Sequence, residues 1–330
     1  VDRRQRQMCI RDSMMTVLFK DSDRALLNAV RRNLMGHIPK MAIDTVRFQM
    51  GTYDQCTKCD HLNPAGVARR TAGGTGCSKC GAAFEKEDED YIVWETNYAI
   101  PDEMVAQRIA MIPVPTDTES YSFEESCPDC KDLVDEDRGC PTCNMIYTLR
   151  AFGAKGGRTI TARDLTFLGD DSGNVPDAYR DIPITILHEG QMIELWATAR
   201  MGYGVNHAKW STTAGVTFEP RQIASISNDK RAKTLFDMGL RISKKDFKDG
   251  KLEDIHKVSD LKKDLHNVGA GTGLSDDFAD AITLEDVKGE YLLSFETDGS
   301  MTPAEALNAA FNRLAERFGA IKEDIDHVIA

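Results

Sequence analysis

The 330-residue chain has no long hydrophobic run. No stretch approaches the roughly 18 apolar residues of a membrane-spanning helix. A secretory apolar segment is missing too, so a reducing, cytoplasmic setting is expected. Positive charge is scarce: Lys and Arg number 41 against 53 Asp and Glu, a net charge of -12. Phosphate contact needs clustered Lys and Arg, and no basic patch with interleaved aromatics occurs. Direct sequence-specific binding to nucleic acid is therefore disfavoured. There is no GxxxxGK[ST] phosphate loop, no Asp-x-Asp-x-Asp magnesium pattern and no Ser or Cys nucleophile beside a base. The seven His are scattered. No catalytic residues are expected in this chain.

Cysteine is the exception. Eight of the nine fall in CxxC pairs. Cys56, Cys59, Cys77 and Cys80 read as two knuckles with zinc-ribbon spacing. A two-residue spacer lets both thiolates of a knuckle face one ion, and two knuckles complete a tetrahedron. Gly81 follows the second knuckle, where a tight turn can aim amides at sulfur. Cys127, Cys130, Cys140 and Cys143 form a second quartet with a shorter loop. Zinc is favoured at both, in structural roles. An iron–sulfur cluster stays open, because four Cys also suit iron. A redox CPxC is the other rival. It wants a helix start, whereas these pairs sit in a polar loop beside Asp129, Asp132, Asp135, Glu136 and Asp137.

Residues 1–13 carry four Arg and no apolar period. They read as a non-native leader or a disordered arm, with Met14 or Met15 as the expected start. Thr16–Lys20 reads as a strand. An amphipathic helix follows, with Ser22 as its expected cap and Gly36 and Pro39 as its stop. Leu27, Val30, Leu34 and Ile38 make its apolar stripe, and Arg24, Asn28, Arg31 and Arg32 fall mostly opposite. Met41–Met50 alternates as a strand. Residues 51–90 form a zinc-ribbon-like insert with glycines at 73, 74 and 76 and an acidic run from Glu85. Tyr91–Thr96 resumes strand character. A second helix starts at Pro101, carries Val105, Ile109 and Ile112, and ends at Pro113.

From Met145 to Trp210 the text is β-rich, with strand-like runs at 146–152, 158–164, 182–187 and 191–200. A hairpin is expected at Glu189-Gly190. Residues 211–282 are Cys-free and of uncertain fold, with helices expected near Asp229–Met238 and Ile255–Leu265. Tyr291–Thr297 reads as a strand. Thr302 to Glu305 is a capping box, and the last helix carries Leu307, Phe311, Leu314 and Phe318.

Several segments together resemble one family. They are ALLNAVRRNLMGHIPKMAIDTV, DEMVAQRIAMIPV, TARDL, GYGVNHAKW and FETDGSMTPAEAL. The family is the D subunit of archaeal DNA-directed RNA polymerase, similar to the third-largest subunit of eukaryotic RNA polymerase II and to bacterial alpha. The resemblance implies an α+β fold. In it, a discontinuous dimerisation domain (14–50, 91–112 and 283–330) holds an inserted β-rich domain (113–210) with the second Cys loop. It implies a non-catalytic assembly subunit of a nucleotidyltransferase complex. That subunit pairs with subunit L and, with N and P, supports assembly onto the large B subunit.

It also supports zinc at the second quartet. The Cys-free 211–282 and the ribbon at 51–90 both depart from the family pattern. Leu27, Val30, Leu34, Val105, Ile109, Leu307, Phe311, Leu314 and Phe318 look too numerous for one thin sheet to cover, so a partner subunit is expected over part of them. Arg31 and Arg32 are candidates for docking a large subunit. The alternative function is a zinc-ribbon nucleic-acid-binding protein.

Overall fold

The computed structural model describes residues 13–65, 76–134, 137–269, 278 and 280–329. The expected leader, Ser13 apart, and the glycines at 73 and 74 lie outside them. In chain order the elements are β1 (Met14–Phe19), α1 (Arg24–Gly36), β2 (Pro39–Phe48), β3 (Thr52–Cys56), β4 (Leu62–Pro64), β5 (Tyr91–Glu95) and α2 (Asp102–Ala110). Then come β6 (Asn144–Phe152), β7 (Arg158–Thr161), β8 (Leu165–Phe167), β9 (Pro183–Leu187) and β10 (Met192–Tyr203). The last are β11 (Thr213–Ile226), α3 (Asp229–Asp237), β12 (Lys251–Leu252), α4 (Ile255–Gly269), β13 (Ile282–Thr297) and α5 (Pro303–Ile329). The chain divides into two compact units.

One unit takes in Asn33–Ala214 and the final segment from Glu296. Its main sheet runs β2-β10-β6-β8, antiparallel throughout. Strand β6 alternates, so Met145, Tyr147, Leu149 and Ala151 turn inward as the two-residue period of a strand requires. They share a core with Met41 and Ile43 of β2 and with Leu195, Ala197 and Ala199 of β10. Val105, Ile109 and Ile112, in and just after α2, complete it.

This core draws on residues from both sides of the expected boundary at 113. Met41 and Ile43 bury their side chains in the β-rich core, so β2 is one of its strands. The α2 stripe is likewise fully covered there and needs no partner subunit. Two corrections concern strands. Tyr91–Glu95 pairs with β3, in a three-stranded sheet ordered β4-β3-β5, so the ribbon runs past residue 90. It closes where Thr96 N donates to Gly51 O (3.1 Å) and Gly51 N to Thr96 Oγ1 (2.8 Å). Glu189-Gly190 makes a turn but no hairpin, because β9 pairs with β7 while β10 lies in the other sheet.

The HAKW segment anchors this unit. Gly202 faces Trp210 so closely that a Cβ would lie 2.4 Å from the indole ring. Lys209 sits 4.3 Å over that ring and pairs with Asp44. Lys40, buried, pairs with Asp298 and donates to the carbonyls of Lys209 (2.8 Å) and Ser211 (3.3 Å). A buried ammonium needs this full set of acceptors.

The other unit takes in Met15–Arg32 and Gly215–Phe295. Its sheet runs β1-β13-β11-β12. Leu235 of α3 and Val258 and Leu261 of α4 pack with Ala224, Phe247, Leu252 and Ile282. The two expected helices are present, and the Cys-free segment is an α+β body around them. Helix α1 begins in this unit, and its cap is Asp23: Leu26 N donates to Asp23 Oδ1 at 2.8 Å. Ser22 Oγ donates instead to Lys20 O.

Candidate metal centres and assembly surface

Each ribbon knuckle is the same turn. Asp60 N donates to Cys56 O and Gly81 N to Cys77 O, both at 2.9 Å. Cys56 N donates to His61 O (3.0 Å) and Cys77 N to Ala82 O (2.8 Å). Asp60 and Gly81 take positive φ, 54° and 72°, which Gly and Asp tolerate best. The turns bring Cys56 Sγ to 3.6 Å from Cys80 Sγ, and Cys59 Sγ to 3.6 Å from Cys77 Sγ.

The second quartet repeats the turn, with Lys131 N donating to Cys127 O and Asn144 N to Cys140 O at 2.9 Å. Its sulfurs lie 3.4 Å (Cys127–Cys140), 3.8 Å (Cys130–Cys143) and 3.7 Å (Cys140–Cys143) apart. Within each quartet all four sulfurs lie within 4.8 Å of one another.

A tetrahedron with metal–sulfur bonds of about 2.3 Å has edges of about 3.8 Å. Both quartets therefore fit one ion at a common centre. A multi-iron cluster spreads its thiolates over separate irons and holds them wider apart. Thiol acidity diverges within each quartet. Burial opposes ionisation of Cys77, but donors from Cys80, Lys79 and Asn63 outweigh it and bring the thiol down to about 6. At Cys59 the His61 amide favours the thiolate, yet desolvation and the neighbouring thiols carry it up to about 12. Burial likewise opposes Cys140, which Thr142 and Cys127 bring down to about 6, while burial pushes Cys143 up. Four sulfurs this close cannot all ionise without a cation among them. No position is left open for substrate, so the chemistry available is structural.

The apolar residues expected at an interface separate into two groups. Leu27, Val30 and Leu34 are at most 1% exposed, as are Val105 and Ile109. They are buried within this chain, on the core side of a stripe expected to be shared between core and partner. Arg31 bonds Asn28 within α1, and Arg32 is exposed. Helix α5 differs. Its capping box forms, with Glu305 N donating to Thr302 Oγ1 (3.3 Å) and Thr302 N to Glu305 Oε2 (2.8 Å). Beyond it Leu307 and Leu314 are half-buried, while Phe311 and Phe318 are exposed. Ile321, Ile325 and Val328 continue the stripe at 53%, 49% and 86% exposure. The spacing alternates four and three over the 27-residue helix, the a/d pattern of a helix made to face another. The expected stripe ends at Phe318, although the same period runs on in plain view.

A profile of the RNA polymerase Rpb3/Rpb11 dimerisation domain matches residues 16–318. The chain belongs to this family. Among its relatives is DNA-directed RNA polymerase subunit Rpo3 of Thermoplasma volcanium, 26% identical over 90% of each chain. The Rpo3 of Picrophilus torridus is 27% identical over 91% of this chain and 92% of its own. A plant relative, subunit 3B of RNA polymerases IV and V of Arabidopsis thaliana, is 25% identical over 69% of this chain. Like other members of the Rpb3/Rpb11 dimerisation family, the chain is a non-catalytic assembly subunit of a transcription enzyme, one that pairs with another polymerase subunit. Both Cys quartets and the start of the α5 stripe lie within the matched span; Ile321, Ile325 and Val328 lie beyond it.

A cleft of about 1040 Å³ beside the second quartet is lined by Asp44, Arg47, Glu124, Arg138, Asp170 and Arg200, among others. Arg200 spans Asp44 (2.6 Å) and Glu124 (3.2 Å), so much of its charge is neutralised internally. No helix among the described residues is long and apolar enough to cross a membrane.

Proposed function

We propose that the chain pairs with the small L subunit of an archaeal-type RNA polymerase through the exposed face of α5. With N and P, the heterodimer supports assembly onto the large B subunit, in the cytoplasm. The observation that carries this reading is the a/d stripe of α5, exposed at Phe311, Phe318, Ile321, Ile325 and Val328. In water it leaves large apolar side chains bare, and each fully buried one is worth roughly 1.5–3 kcal/mol.

The dimerisation domain is discontinuous. Strand β1 and the last strand, β13, neighbour each other in one sheet although they come from opposite ends of the chain, which supports reading the β-rich region as an insertion between the ends. Leu27, Val30 and Leu34 support this domain from inside. Arg31 and Arg32 serve docking of the large subunit, and charge reversal of both should impair it. Zinc occupies both cysteine quartets, because mononuclear tetrahedral thiolate geometry is what zinc takes in structural roles.

The test is co-purification. Alone, the chain should self-associate or be poorly soluble; co-expressed with L it should elute as a heterodimer carrying two zinc and no iron. A stable monomer at micromolar concentration that ignores L would overturn the proposal. Iron with visible absorbance would overturn the metal assignment alone.

A further inference from the structure

Asn63 belongs to no recognisable motif, yet its side chain is fully buried between the two ribbon knuckles. It lies on β4, opposite Asp54 of β3. Its Oδ1 accepts from Ser78 N (2.9 Å) and Ser78 Oγ (2.7 Å), which uses both lone pairs. Its Nδ2 donates to Asp54 O (3.2 Å) and His61 O (3.1 Å), and meets Cys77 Sγ at 3.7 Å. The amide cannot be turned over, because Oδ1 would then face two carbonyls and a sulfur while Nδ2 faced the Ser78 amide. One side chain thus joins the end of the first knuckle to the second and presents an N–H to a ligand sulfur.

We infer that Asn63 is a positioning residue for the ion at Cys56, Cys59, Cys77 and Cys80. It draws charge from the Cys77 thiolate and holds the second knuckle in register with the first before metal arrives. This rests on the metal reading above. The other quartet supplies the contrast. Around Cys127, Cys130, Cys140 and Cys143 the described hydrogen bonds include no side-chain amide at sulfur. An acidic side chain, Asp129, lies 4.0 Å from Cys140 Sγ there. The chain therefore carries its own internal control.

The experiment uses the full chain loaded with cadmium or zinc. Cadmium NMR should give one resonance per quartet, and chelator competition should titrate two equivalents. A single wild-type resonance that persists in Cys56→Ser would refute the metal reading at the ribbon, independently of Asn63. Asn63→Asp keeps the acceptor for Ser78 but sets a carboxylate oxygen against the sulfur; Asn63→Ala removes both. In each variant one resonance should move, and one equivalent should bind about 10- to 100-fold more weakly, the usual cost of losing such a partner. The second resonance and equivalent should stay as in wild type. Unchanged shifts and affinities in both variants would overturn the inference. So would equal loss at both quartets, since Asn63 would then support the whole fold and not the ribbon ion.

Discussion

Phe318→Ala is the sharpest probe of the α5 surface. A Phe buries about 150–250 Å² when covered. Phe318 is 61% exposed, so a partner can still remove about 90–150 Å² from water. At about 25 cal/mol per Å² that is about 2–4 kcal/mol, of which Ala retains a part. Losing about 2–3 kcal/mol weakens the heterodimer roughly 30- to 150-fold, at tenfold per 1.4 kcal/mol. Incomplete coverage reduces this, and about tenfold is the floor the reasoning allows.

The assay is the dissociation constant for L, read by fluorescence titration of wild type and variant. Thermal unfolding of the chain is the control. A side chain this exposed should shift its own stability by no more than about 0.5 kcal/mol. Ile321→Ala, one turn further on, should weaken binding in the same direction. A loss of affinity below about tenfold in Phe318→Ala, or a loss that appears in the chain's own unfolding instead, would refute the α5 interface.

Three further outcomes follow from the packing. Leu34→Ala empties a site that is 1% exposed and should cost about 2–5 kcal/mol of the chain's own stability, measured by denaturant unfolding; an effect on L binding alone would contradict its place in the core. Gly202→Ala drives a methyl into the Trp210 ring and should cost about 1–3 kcal/mol, with a shifted Trp emission; unchanged melting would refute the close contact. Asp246 is held down to about 2 by Lys257 and by the amide and hydroxyl of Ser243. A depressed carboxylate stabilises the fold above its unfolded value of 3.8 and loses that contribution as pH falls through about 2. Asp246→Asn should therefore be less stable than wild type at pH 6, by about 1 kcal/mol as for a lost cap, and the gap should close toward pH 2. A gap independent of pH would sink the assignment.

The two cysteine quartets were legible from spacing alone, because CxxC geometry is local and needs no knowledge of the rest of the chain. So were α1, α2 and the α5 capping box, each marked by period and by end signals. What the residues could not show was which surfaces meet. The α1 and α2 stripes look as bare in sequence as that of α5, and only tertiary packing separates buried Val105 from exposed Phe318. Strand β11 was hidden by Pro220, a residue that argues against a strand. The structure tolerates it because β12 pairs only with Ala224 and Ser225, leaving that edge open beside the proline. Asn63 had no signal at all: a buried Asn in a short strand reads like any loop residue.

The Gly51–Thr96 closure has a consequence for how separable the ribbon is from its host. The ribbon leaves and re-enters the host at adjacent points, so the host sees it as little more than a long turn. Such a segment can be gained, lost or exchanged in a single step without redrawing the surrounding sheets. Its one aromatic tie to them among the described residues is Trp94 against Phe152, 4.7 Å between ring centres. A short linker from Gly51 to Thr96 should give a chain that still folds and lacks one metal, and the excised ribbon is a candidate for transplantation as a self-contained part.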